Sequence, residues 1–120
     1  MNLSQFDFQQ LSIKHILYKS KVRAALYGGE VDRDFFSDRT GPIGTWIYNK
    51  GMQLYGDHAE MINLEKAHRE INFYVLNLIT QYKRGQIEEA RENLKLLETY
   101  SQNFQDKLSR LESKILKLGK

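Results

Sequence analysis

Wherever the apolar residues of this chain recur regularly, they do so in threes and fours. Phe8, Leu11, His15, Tyr18, Val22 and Ala25 form one such series, and Met61, Leu64, His68, Ile71, Val75, Leu78 and Tyr82 form a second. That spacing lines one face of an α-helix. The third series is a heptad. Ile87, Leu94, Ser101, Leu108 and Ile115 hold one seam position and Ala90, Leu97, Phe104, Leu111 and Leu118 the other, nine of the ten being apolar. The seam runs over about 32 residues, or roughly 48 Å at helical rise.

Punctuation between the series agrees with helices. Ser4 is placed to cap the first helix, and Gly28 and Gly29 to stop it, since glycine enters a left-handed terminal turn at little cost. Glu30 to Thr40 alternates charges without a stripe and reads as a loop, with Phe35 and Phe36 tucking it onto the body. The single proline, Pro42, suits the first turn of a short helix carrying Ile43, Trp46, Ile47 and Leu54 and broken near Gly51. Asp57 and Glu60 have the spacing of a capping box for the next helix, which should end at Gly85. The expected fold is all-α: a four-helix bundle, up-down in its connections, with one short helix and a long C-terminal helix, forming a single domain over residues 1–120. Leu96 and Leu116 lie beside the heptad seam and widen it, so the helix over 86–118 is expected to dimerise the protein.

Composition narrows the function more than the fold. A chain of 120 residues buries roughly two thirds of its unfolded surface around one core. Its 18 basic and 15 acidic residues are interleaved, 6 to 5 over 1–40, 5 to 4 over 41–85 and 7 to 6 thereafter, so no phosphate track is expected and no nucleic acid partner. Without cysteine there is no disulfide, thiolate ligand or thiol nucleophile. The opening "MNLSQFDFQQ" lacks the features of a signal peptide and no run of 18 apolar residues occurs, so no membrane insertion and a cytoplasmic location are expected. Catalysis finds no support: "GPIG" lacks the lysine and strand of a phosphate loop, no glycine-flanked nucleophile appears, and the carboxylates sit on polar helix faces.

The chemistry lies in two histidines placed where hydrocarbon belongs. A buried imidazole left unpaired costs on the order of 1–3 kcal/mol, so His15 and His68 both need partners. Antiparallel packing would bring them together in the bundle interior, a common setting for metal sites. Zinc wants four ligands, however, and His58 lies ten residues before His68, about 15 Å along the helix, too far to share an ion. It reads as an exposed residue near a helix start.

At this point the residues resemble a known family, the chemoreceptor zinc-binding (CZB) domains. "HILYK", His15 to Lys19, is similar to the family's His-x-x-Trp-Lys; "GPIGTW", Gly41 to Trp46, to its Cys-x-Leu-Gly-x-Trp; and "HREIN", His68 to Asn72, to its His-x-x-x-His. The resemblance covers about residues 10–85. It implies a sensory or regulatory domain working with chemoreceptors or with enzymes that make cyclic dinucleotides, with zinc modulating the output. It also implies zinc ligands at His15, at the position of Gly41, at His68 and at the position of Asn72. Two of those four have changed chemistry, because glycine offers no donor and the asparagine amide only a neutral oxygen.

Two expectations follow for this site. One is a residual metal site on His15 and His68, completed by water, Asn72 or Glu65, with zinc as the possible cofactor. The other, favoured because two histidines forgo much of the roughly 10–16 kcal/mol of a full structural site, is a polar core in which a histidine bonds Asn72 or Tyr18, beside space that Gly41 leaves unfilled. Gly44 and Trp46 read as a packing pair. The functional expectation is a regulatory or sensory domain with a degraded zinc site, acting as a homodimer with an unidentified signalling protein. The alternatives are a structural homodimerisation or adaptor module without ligand, and a metal sensor using His15 and His68.

Overall fold

Each long apolar stripe becomes one wall of a helical bundle. The computed structural model describes residues 3–32 and 34–118, and the side chain of Ser4, expected to cap the first helix, lies outside the described residues. The elements in order are α1 (Leu3–Ala25), α2 (Pro42–Trp46), a π-helical turn (Ile47–Gly51), α3 (Met52–Tyr55), α4 (Ala59–Lys83), α5 (Ile87–Glu92), a 3-10 turn (Asn93–Leu96) and α6 (Leu97–Leu118). Among the described residues there is no strand. The fold is an all-α bundle of four helical limbs: α4 lies along α6, α1 packs on α6 and α2, and α3 closes against α4. The result is a rod of 52 × 23 × 23 Å.

All six stripe residues of α1 are buried, as are six of the seven on α4, with Tyr82 partly covered. On α6 the seam residues Leu97, Ser101, Phe104, Leu108, Leu111 and Ile115 are buried, while Ile87 and Leu118 at its two ends are exposed. Gly28 (φ +93°) and Gly85 (φ +89°) are the only positive-φ residues among those described, at the two predicted stops. At the second, the Gly85 and Gln86 amides reach back to the Tyr82 and Gln81 carbonyls at 3.0 Å each, which satisfies the terminal carbonyls of α4.

Three local expectations give way, each for a visible reason. The cap of α4 falls one residue later than Asp57, on His58, whose extended backbone (φ −92°, ψ 132°) leaves the helix and whose carbonyl takes the Met61 and Ile62 amides; no side chain caps it. The chain does not break at Gly51 but widens into the π turn. A Cβ there would press on the Trp46 ring (2.6 Å) and the Met61 thioether methyl (2.9 Å), so the glycine serves packing. The long last helix is also interrupted. The Tyr74 hydroxyl donates to the Asn93 carbonyl at 2.6 Å, and the Leu97 amide bonds the Leu94 carbonyl instead, tightening that turn to 3-10.

Between α1 and α2 the segment 30–41 crosses the bundle as a strap. The Asp32 carboxylate accepts the Asp34 and Phe35 amides (2.9 and 3.4 Å), turning the chain so that Phe36 is buried and Phe35 lies partly covered against Tyr18. On the surface Lys95 pairs with Glu92 (2.6 Å), whereas Arg91 caps the Leu26 carbonyl (2.8 Å) and lies over the Tyr27 ring.

Candidate functional site

The strap is held by side chains that reach out of the helix stripes, and Asn72 is their hub. Its position one turn after His68 on the buried face of α4 aims the amide at both α1 and the strap. The Nδ2 group donates to the Phe36 carbonyl (2.7 Å) and to Asp38 Oδ1 (2.6 Å), and Oδ1 accepts the Tyr18 hydroxyl at 2.8 Å. Both amide hydrogens and one oxygen lone pair are thereby used. Burial pushes the Tyr18 hydroxyl well above the usual phenol range, with the Asp38 carboxylate adding to it, so it stays a protonated donor.

His68 adds a second tie to the strap. Its Nε2 stands 2.8 Å from the Asp38 carbonyl, which can only accept, so this nitrogen carries the proton. Burial holds the imidazole below its ordinary pKa, while the Asp38 carbonyl bond and the charges of Asp38 and Glu65 pull the other way. Beside it the Tyr48 hydroxyl donates to Glu65 (2.6 Å), which also accepts from Arg69 (2.5 Å).

His15 joins a different pair of limbs. At 1% exposure it stacks on Phe104 (centroids 4.7 Å apart), and its Nε2 lies 2.7 Å from the Ser101 hydroxyl. Its Nδ1 has no hydrogen-bond partner among the described residues. The cheaper tautomer places the proton on Nε2, donating to Ser101, and leaves Nδ1 as a bare acceptor, since a stranded N–H is the rarer and costlier defect. Burial lowers its pKa to about 4, with Lys19 and then His68 contributing in the same direction against Glu98. His15 also lies against the Tyr18 ring, with centroids 6.2 Å apart.

The residues singled out from sequence fall in one region but with other partners than expected. His15, His68 and Asn72 are all buried, the last two against the strap and the first against α6. Asn72 and Tyr18 bond each other, and the histidines turn instead to Ser101 and Asp38. The space expected beside Gly41 is filled by the strap itself: a Cβ on Gly41 would overlap the Phe35 carbonyl oxygen, and one on Gly44 that of Asp38. Trp46 packs on Phe8 and Tyr55, its indole nitrogen without a partner among the described residues. His58 is partly buried at its cap position, away from the others in sequence.

Zinc finds a poor fit in these residues. Among those described, no group of three or more histidines, cysteines, aspartates or glutamates is placed to hold a metal ion. Position 41 supplies no donor and would need the strap to move to supply one, and both Asn72 and Glu65 are committed to hydrogen bonds. Sequence reasoning passed over Ser101 and Asp38. Ser101 was legible, as the one polar member of the heptad seam; Asp38, in an aperiodic loop, carried no signal.

No family model matches the chain, and no curated protein or solved structure matches it significantly. Among the described residues no helix is long and apolar enough to cross a membrane. What the arrangement can do chemically is join limbs: His15 ties α1 to α6, Asn72 ties α4 to α1 and the strap, and His68 ties α4 to the strap.

Proposed function

We propose that this chain is a regulatory or sensory helical domain of bacterial signal transduction, of the chemotaxis or cyclic-dinucleotide type. It is related to the chemoreceptor zinc-binding domains, and hydrogen bonds stand where the family binds its metal. The observation that carries the reading is that His68 and Asn72 both bond the strap that ends at Gly41, while His15 lies against the ring of Tyr18, whose hydroxyl reaches Asn72. Positions 15, 41, 68 and 72 are the four that the resemblance assigns to zinc. Polar groups buried at such cost specify how the limbs sit against one another, which is the property a conformational relay needs.

In this reading the domain is not an enzyme, works in the cytoplasm as a homodimer, and passes its state to a signalling protein without touching nucleic acid. Deleting its gene from the source cell should alter swimming bias or cyclic-dinucleotide level, and Asn72→Leu should fail to restore either. Unchanged behaviour on both counts would contradict the proposal. A structural dimerisation module is the second reading, favoured by apolar side chains left outside on α1. A metal sensor centred on His15 and His68 is the third, resting on the unshared Nδ1 of His15.

A further inference from the structure

α1 is apolar on two opposite faces. Its inward stripe fills the core, yet Phe6, Ile13, Ile16 and Leu17, together with Tyr27 in the following turn, are 49–63% exposed on the far side. Among the described residues no other limb exposes as many large apolar side chains. At 100° per residue these positions fall in one band with Gln9, Ser20 and Ala24, and no charged residue lies within it. Lys14 and Lys21 flank the band on one side; Lys19 and Arg23 flank it on the other, both tied to Glu98 at 3.0 and 3.1 Å. An uncharged strip between charged margins is the composition of an interface centre.

We infer that this face of α1 binds the same face of a second copy, antiparallel, about a two-fold axis passing between Ile16 and Leu17. The inference rests on the homodimeric reading above but moves the interface from the helix over 86–118 to α1 and gives it a register. A two-fold between residues 16 and 17 sets each position against the one that sums with it to 33. Ile16 then meets Leu17 of the second copy, Ile13 meets Ser20, Gln9 meets Ala24 and Phe6 meets Tyr27. Two large residues meet at the axis, a larger residue opposes a small one at each of the next two pairs, which lets the helices approach, and the two aromatic ends pair with each other. A lipid surface or an unrelated helix would require no such self-matching, whereas a two-fold interface does. The five apolar side chains expose on the order of 500 Å², more than half of the roughly 800 Å² that each partner buries in a standard interface. Their flanking polar neighbours can supply the rest.

The chain has no cysteine, so introduced ones report cleanly. The unmodified protein should sediment as a dimer of the 14.2 kDa chain at micromolar concentration. Leu17→Glu, at a site that is half exposed and outside the core, should sediment as a monomer with unchanged helicity. Ile13→Cys and Ser20→Cys chains, mixed in equal amounts and oxidised, should give mainly the mixed disulfide. A monomeric unmodified protein, a dimer that survives Leu17→Glu, or a preponderance of the two like-with-like disulfides would each overturn the inference. None of these results depends on the deletion phenotype, so this interface can fail while the signalling role stands, and the reverse.

Discussion

His15 shows how a single residue can make folding sensitive to acid. Buried and, among the described residues, bonded only through Nε2, it takes up its second proton near pH 4 in the folded chain but near the ordinary 6.5 when unfolded. Between those values the unfolded state binds more protons. Stability is therefore complete above pH 6.5 and falls as the pH drops toward 4, by roughly 3 kcal/mol from this group, and depressed His68 acts in the same direction. Urea unfolding at stepped pH should show this decline, and His15→Leu should flatten most of it. A slope unchanged in that variant would place the titration elsewhere. Asn72 gives the second residue-scale prediction. Asn72→Leu strands the Tyr18 hydroxyl and the Phe36 carbonyl in the interior and should cost about 3 kcal/mol in the same assay. That His15 is a buried polar residue was legible, because it interrupts an apolar stripe; Asn72 lies outside the stripe and was singled out by the family resemblance alone. Their partners were not, because a stripe says which face is inward and nothing about what a loop lays against it.

Among the elements, the strap is the one whose position depends most on side-chain hydrogen bonds. Gly41 and Gly44 have carbonyl oxygens of Phe35 and Asp38 where a Cβ would go, so the strap and α2 are in backbone contact at both. Gly41→Cys, which restores the thiol implied by the family resemblance, should thus displace the strap. The expected cost is about 1–3 kcal/mol, with faster proteolytic cleavage within 31–41. A variant as stable and as resistant as the parent would mean that the strap yields freely. The long helices were legible from periodicity and the stops at Gly28 and Gly85 from glycine chemistry. The interruptions were not. The π turn depends on how Trp46 and Met61 pack around Gly51, and the 3-10 turn on a hydroxyl arriving from Tyr74 on another limb. Both are tertiary effects that leave no mark on the local pattern.

For the whole molecule, an all-α bundle follows from three stripes of one period and a single proline. The limbs of this bundle are cross-linked by buried hydrogen bonds that involve three of the four positions where the resemblance calls for zinc, His15, His68 and Asn72. The His15–Ser101, Tyr18–Asn72, Asn72–Phe36 and His68–Asp38 contacts span α1, α4, α6 and the strap. Among the described residues, His15 Nδ1 is the one buried side-chain atom of this network without a hydrogen-bond partner. The most direct test is the melting temperature of the chelator-treated protein with and without added zinc, read alongside its metal content. We expect no bound stoichiometric ion and no change in melting. One zinc per chain with a melting shift of several degrees, abolished by His68→Ala, would contradict the account.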